Sequence, residues 1–260
     1  MGLQLSTDYD KFYINGKSSE WMNLYLITTE SESSTSITGL SRNLVYSESD
    51  DGIKKVVNVT NNEIKFNIQV TRMINGSNGT FEIEDIDRIN RWLMGDKNIK
   101  ELRVGNRIFY GYFTKGEKWI RGDREGYLLY EFVVPEGCMF IEGKSHILVN
   151  KKETIELKNI STAEDCTDIN IEISNIKSDN VKIINTSNGD FIKISNTNSN
   201  QKIIIFSDYG EIYDENNTNV NLFKDVEYGK NFPRLNYGFN IFEIEGSCEI
   251  NFYWKNRMCL

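Results

Sequence analysis

One short stripe has the spacing of a helix, and it constrains everything around it. Ile83, Ile86, Ile89 and Leu93 recur every three or four residues with Trp92 beside them, as one buried helix face requires. Glu82, Glu84, Asp85 and Asp87 load the first turns with negative charge, which the helix dipole favours. Gly95 is expected to end the helix in a left-handed conformation. Such a stripe suits a helix that caps the open end of a β-sandwich. No second stretch repeats the pattern, and the chain is poor in the best helix former: one alanine, Ala163, against 32 isoleucines and 31 asparagines. Isoleucine fits a pleated, half-buried surface and asparagine fits turns, so the remainder is expected to be strand and loop.

The strand signals follow in order. Phe12-Tyr13-Ile14 runs into an Asn15-Gly16 turn, and Trp21–Ile27 reads as a second strand. Residues 28–52 are polar and Ser-rich, and are expected to form a long loop or extended arm. Ile64–Val70 alternates apolar and polar, as a strand with one buried face does. Lys100–Val104 and Arg107–Phe113 form a hairpin around Gly105-Asn106, and Lys118–Arg121 and Tyr127–Val134 complete the sheet. Pro135-Glu136-Gly137 is the best boundary, because Pro135 is one of only two prolines and a turn follows. Beyond it, short strands are expected at 146–149, 154–158, 169–174, 181–184, 191–195, 202–206, 211–213, 240–244 and 248–254, a spacing that suits a sandwich or jelly-roll. The 260 residues accommodate two domains of about 130 residues each, expected at 1–135 and 136–260.

Charge and cysteine usage exclude several classes. The net charge is −8, with 17 basic against 19 acidic residues in 1–135 and 13 against 19 in 136–260. That balance argues against a nucleic-acid binder, which needs clustered Lys and Arg. No apolar run is long enough for a membrane span, and the start, MGLQLSTDYD, has no signal-peptide core. Cys138, Cys166, Cys248 and Cys259 lack zinc-site spacing, and without an export signal they are expected as reduced thiols.

Groups for catalysis are sparse. His146 is the only histidine, so mechanisms that need two are excluded; an exposed or structurally satisfied ring is the expectation. No Gly-x-Ser-x-Gly elbow, phosphate loop or dinucleotide fingerprint occurs. Asp208, Glu211, Asp214 and Glu215 cluster near Tyr209 and Tyr213, but such clusters are usually a solvated face, and the ligand spacing of an EF-hand is missing. No cofactor and no metal is expected, and the chain reads as a structural or binding protein, not an enzyme.

Two stretches, taken together, resemble a known family. The first is the helix ending in Arg91-Trp92-Leu93, followed by a leucine strand and the Tyr/Phe-rich Ile108–Phe113 that contains Tyr110. With the opening Phe12–Gly16 (including Asn15 and Gly16) and Phe132-Val133-Val134-Pro135, it resembles the N-terminal domain of the phage distal tail proteins, the Dit family. The second is 232–260, FPRLNYGFNIFEIEGSCEINFYWKNRMCL, where Leu235, Gly238, Asn240, Gly246 and Arg257 are similar to the family's closing pattern, preceded by a hairpin at Asn185–Ile194. The resemblance implies a mainly β chain: an N-terminal β-sandwich-like, ring-forming domain with one α-helix, and a C-terminal galectin-like or jelly-roll β-sandwich that docks partners. It implies a homo-hexameric hub in the virion tail, joining the tail tube protein to the tail tip, a tail-associated protein or a receptor-binding protein. DNA would pass through the ring without specific binding, and no membrane would be involved. The helix would pack across the first sandwich. The alternative is a carbohydrate-binding or adhesin protein with two β-sandwich domains.

Overall fold

The computed structural model describes residues 11–27, 42–48, 54–61, 63–74, 77–122, 124–162, 166–218 and 221–259. The chain divides into two compact units: Met1–Met139 with Cys259–Leu260, and Phe140–Met258.

The strands of the first unit are β1 (Phe12–Ile14), β2 (Lys17–Ser18), β3 (Leu24–Leu26), β4 (Arg42–Glu48), β5 (Lys54–Asn61), β6 (Ile64–Ile74), β7 (Ser77–Asn78), β8 (Lys100–Val104), β9 (Arg107–Ile120) and β10 (Gly126–Val134). They pair antiparallel with one another. One row runs β2–β1–β8–β9 and the other β9–β10–β6–β3. Strand β9 belongs to both, because Arg107–Gly111 pairs with β8 and Tyr112–Ile120 with β10. The hand-over falls at Gly111, where a Cβ would overlap the carbonyl oxygen of Val133, so only glycine lets the strands approach this closely. Between the rows lies an aromatic core. Phe113 and Phe132 have ring centroids 4.9 Å apart, and Phe66 lies 5.1 Å from Phe109 and 5.6 Å from Phe132. This is a β-sandwich-like arrangement.

Helix α1 (Ile83–Met94) forms as its periodicity predicts. The Glu82 N–H donates to the Asp85 carboxylate (3.3 Å), which also pairs with Arg72 and, at 2.7 Å, with Arg88. Ile89 and Leu93 are buried, but the first turn departs from expectation. Ile83 is 77% exposed and Ile86 only half-buried, the two lining an open hollow with Lys118 and Ile120 of β9. Gly95 is also corrected: it is right-handed (φ −71°, ψ −14°), not left-handed, and its N–H donates to the Arg91 carbonyl. Glycine is needed there for room, because a Cβ would overlap that same carbonyl oxygen.

Three further strand expectations change in this unit. Trp21 and Met22 end a 3-10 turn (Ser19–Met22), and Asn23 turns left-handed (φ 56°) before β3 begins. Lys118–Ile120 is the continuation of β9, not a separate strand. Of the segment 28–52, Arg42–Glu48 is strand, paired with β5 in a two-stranded ribbon that joins no other sheet among the described residues; the rest of 28–52 lies outside the described residues.

The strands that follow are β11 (Cys138–Asn159), β12 (Thr167–Ser174), β13 (Asn180–Asn185), β14 (Phe191–Ser195), β15 (Ile203–Phe206), β16 (Glu211–Asp214), β17 (Val226–Tyr228), β18 (Arg234–Leu235) and β19 (Gly238–Cys259), all within the second unit except Cys138, Met139 and Cys259. Strand β19 again serves two rows. Phe242–Glu245 pairs with β13, which continues to β14 and β17. Glu249–Trp254 pairs with β12, which continues to β15 and β16. The change falls at Gly246 (φ 140°), and β11 has its own kink at Lys151 (φ 136°). Here the expected pairs of short strands at 146–149 with 154–158, and 240–244 with 248–254, are each one strand of 22 residues. Polar residues at the kinks broke the sequence pattern without breaking the backbone. Inside is an isoleucine core in which Ile169, Ile171, Ile173, Ile183, Ile203 and Ile250 are fully or almost fully buried.

Two of the four cysteines are not reduced. Cys138 and Cys259, both in the first unit, form a disulfide with Cα atoms 4.2 Å apart across a sequence separation of 121. Sequence spacing gave no sign of it because the two long strands, not a local motif, bring the thiols together. Cys166 and Cys248 are free.

Candidate functional site

The motif residues of the first unit build structure. Asn15 (φ 49°) and Gly16 (φ 75°) form a tight turn of the left-handed kind that an Asn-Gly pair favours. The Asn15 side chain also accepts from the Glu101 N–H at 2.8 Å, which ties this hairpin to β8. Trp92 stacks on Phe12 (5.9 Å) and meets Trp21 edge-on (5.7 Å), while Leu93 is buried beside them. Tyr110 donates its hydroxyl to Glu101 at 3.0 Å. Pro135 opens the turn closed by Gly137 (φ 62°), whose N–H donates to the Val134 carbonyl.

Those of the second unit make a closed corner. Leu235 is buried, and its carbonyl accepts from Asn159 (3.2 Å). Gly238 takes a positive φ of 89° where the Asn236-Tyr237 loop enters β19. The fully buried Asn240 amide fastens that loop: its oxygen accepts from the Asn236 N–H (2.9 Å) and Asn185 (3.1 Å), and its nitrogen donates to the Asn236 carbonyl (2.8 Å). A hydrocarbon side chain there would leave buried polar groups without partners. Gly246 lies where a Cβ would stand 3.0 Å from the Asn180 carbonyl oxygen.

The groups considered for chemistry are dispersed. His146 is exposed, with Nε2 2.8 Å from the Glu249 carboxylate. Hydrogen bonds from Asn175 and then His146 hold the Glu249 carboxyl below its ordinary pKa. In the acidic cluster Asp214 is buried, accepting from the backbone N–H groups of Lys202 (3.1 Å) and Asn216 (3.0 Å), so it closes a turn. Glu215 pairs with Lys202 at 2.6 Å. Cys248 is buried, which pushes its thiol pKa up to about 11 and removes it from thiolate chemistry. Among the described residues no group of three or more His, Cys, Asp and Glu side chains is placed to hold a metal ion, and no helix is long and apolar enough to cross a membrane.

What the second unit does possess is a cleft of about 710 Å³. Residues of β11, β12 and β19 line it, together with Ser161 and Asp208. Register explains its lining. Tyr253 sits opposite Asn170, one step along from Trp254 and Ile169, which turn into the core. Gly143 makes room for the Trp254 ring, which a Cβ would overlap. Lys144 holds its ammonium 5.0 Å from the centre of the Tyr253 ring. Asp168 is an exposed residue whose carboxyl rests against the cleft wall; burial first, then the charge of Asp208, raise its pKa, with Arg234 opposing. Of the lining, sequence reading singles out Asp208, Cys166 and Arg257, and does not bring them together. Alternation marks the outward face of each strand, but no local signal joins segments more than 80 residues apart.

Comparison with known proteins agrees with this architecture. Residues 7–132 match the family described as "Phage tail protein N-terminal domain". No curated protein matches the chain in sequence. Among solved structures, the chain is similar to the Dit protein of phage SPP1, described as a paradigm of the hub adsorption apparatus in phages that infect Gram-positive hosts (TM-score 0.57, 9% identity, covering 96% of this chain and 99% of that one). It is also similar to a chain of the phage P2 baseplate in its activated conformation with calcium (TM-score 0.53, 9% identity, 97% and 100% covered). A chain of the phage p2 baseplate with strontium matches at TM-score 0.50 and 10% identity, covering 95% and 98%. The chain has the fold of the phage Dit and baseplate hub proteins along nearly its whole length.

Proposed function

We propose that this protein is a structural hub of a phage tail, a homo-hexameric ring between the tail tube and the tail tip. The observation that carries the reading is the end-to-end fold match to SPP1 Dit, with the separate sequence match of residues 7–132 to a phage tail domain. In this reading the first unit forms the ring. The second unit is a galectin-like or jelly-roll platform that docks a tail-associated or receptor-binding protein. DNA passes through the ring, and its net acidity favours sliding over adhesion. The function is one of assembly and not catalysis, and its place is the virion tail.

A closed ring needs a head-to-tail interface, in which two different faces of each copy meet. The first unit has material for one. The β4–β5 ribbon pairs with no other strand among the described residues, and a two-stranded ribbon is marginal alone in water. Ile83 and Trp119 are exposed large apolar side chains on the same unit. The test is the solution mass of the full chain, by light scattering during size exclusion over a concentration series, with negative-stain imaging of the largest species. Six protomers, or visible rings, are expected. A strict monomer throughout would overturn self-closure and favour a two-domain adhesin.

A further inference from the structure

We propose that Trp119 of one copy inserts into the hollow bounded by Ile83, Ile86 and Ile120 of a second copy, as a knob in a hole. This contact rests on the ring reading and names the two faces that close it. Among the described residues of the first unit, Ile83 (77% exposed) and Trp119 (56%) are the two most exposed large apolar side chains. They stand on opposite faces of β9. Lys118 and Ile120 line the hollow with Phe81, Ile83 and Ile86, whereas Trp119 and Arg121 border a separate depression with Tyr127. Successive residues of a strand point to opposite sides, so Trp119 cannot fill the hollow of its own chain. A two-fold dimer would have to present knob and hole to one partner face together, which opposite faces do not allow. A knob on one side and a hole on the other make a head-to-tail contact, the kind that closes rings.

The knob is held in place before it binds. The Trp119 ring stacks on Tyr127 across the β9–β10 pair, with centroids 6.2 Å apart and planes 13° from parallel. Little side-chain freedom is therefore lost on association. The hole has the buried Phe81 in its wall and a volume of about 310 Å³, room for one large aromatic side chain. Ile86 and Ile120 are half-buried and Ile83 is exposed, so an inserted indole would take all three out of water. Both rims carry both signs of charge. Glu82 pairs with Arg124 at the hollow, beside Lys118, and Arg121 and Glu125 flank Trp119. Opposite charges can face each other across the contact, which fixes its register. Tryptophan is among the side chains most enriched at the centres of such contacts.

The test is light scattering during size exclusion on the full chain, near the lowest concentration at which wild-type rings form. Trp119→Ala removes the knob, and Ile83→Asp puts a charge in the hole at a helix start that tolerates one. Each should weaken self-association by at least about 30-fold, as loss of a central tryptophan contact does. Each should also melt with the dilute, unassembled wild type, which separates lost contact from lost fold. Mixed one to one, the two variants should form a dimer and stop there, since one keeps only a hole and the other only a knob. Undiminished rings in either single variant would overturn the contact and leave the hub intact. So would a mixture that stays monomeric or grows beyond two. A wild-type chain that is monomeric at every concentration would overturn the hub and the contact together.

Discussion

The two units meet one mechanical demand, a strand that serves two sheets, with different residues. In the first, β9 passes between rows at Gly111, and the core beneath it is aromatic: Phe12, Phe109, Phe113, Tyr130 and Phe132, covered by the second half of α1. In the second, β19 passes at Gly246 over a core dominated by isoleucines, with Phe242, Phe252 and Trp254 among them and no α-helix among its described residues. Large planar rings interlock only where the backbone approach is tailored, hence the glycine against the Val133 carbonyl and the Tyr130 hydroxyl that donates to Asn90 at 2.7 Å. Isoleucines at every second position fill a sandwich with little tailoring, since each inward side chain meets another of similar shape. Ring-specific fit therefore recurs through the first unit, and in the second it is local, as at Gly143, where a Cβ would overlap the Trp254 ring.

The comparison breaks most readily at Gly111. Gly111→Val is expected to destabilise the first unit by at least about 3 kcal/mol, lowering its calorimetric transition while that of the second unit stays in place. If both transitions fell together, the units would not be energetically separate. Ile171→Ala, at the centre of the isoleucine core, is expected to cost about 2–5 kcal/mol, visible in urea unfolding, and to move the other transition alone. Asn240→Ala is expected to cost about 1–3 kcal/mol, because the Asn236 backbone N–H loses its partner. Amide hydrogen exchange at Asn236 should rise ahead of its neighbours; uniform exchange would contradict a local fastening role.

A smaller effect sharpens the picture of the cleft. The folded-state pKa of Asp168 is raised, so the native state binds its proton more tightly than the unfolded chain does. The resulting penalty is fully present above the folded pKa and is relieved as pH falls toward the ordinary carboxylate value of about 4. Asp168→Asn should therefore melt at or above the parent temperature at neutral pH, and that advantage should vanish near the acid end of a pH series. An advantage independent of pH would rule out charge as the cause. Smallest of all, Ile83→Ser should change stability by no more than about 0.5 kcal/mol, because the side chain is exposed. A loss of assembly in light scattering without a change in melting would assign Ile83 to a contact between copies.

Much of the molecule was legible before any coordinates. The period of three and four fixed α1, and the Asn15-Gly16, Gly105-Asn106 and Ser187–Asp190 turns fell where positive-φ residues were needed. Alternation located β12 to β16, because one buried face at a period of two is a local property. The handedness of Gly95 is not legible, since a glycine required for close approach looks the same in sequence as one required for positive φ. The 22-residue strands look broken in sequence, because the polar run at Asn150–Lys152 and the glycine at 246 both resemble turns.

By itself, the sequence determined element type, the turn positions and which face of each strand is apolar, all of which depend on residues within a few places of one another. Only the tertiary structure decided that β9 and β19 each serve two sheets, that Cys138 meets Cys259, and that Asp168, Lys144 and Tyr253 share one cleft. Those pairings join residues tens to more than a hundred positions apart. Their partners are selected by the packing of whole sheets, where the burial of many side chains outweighs any local preference.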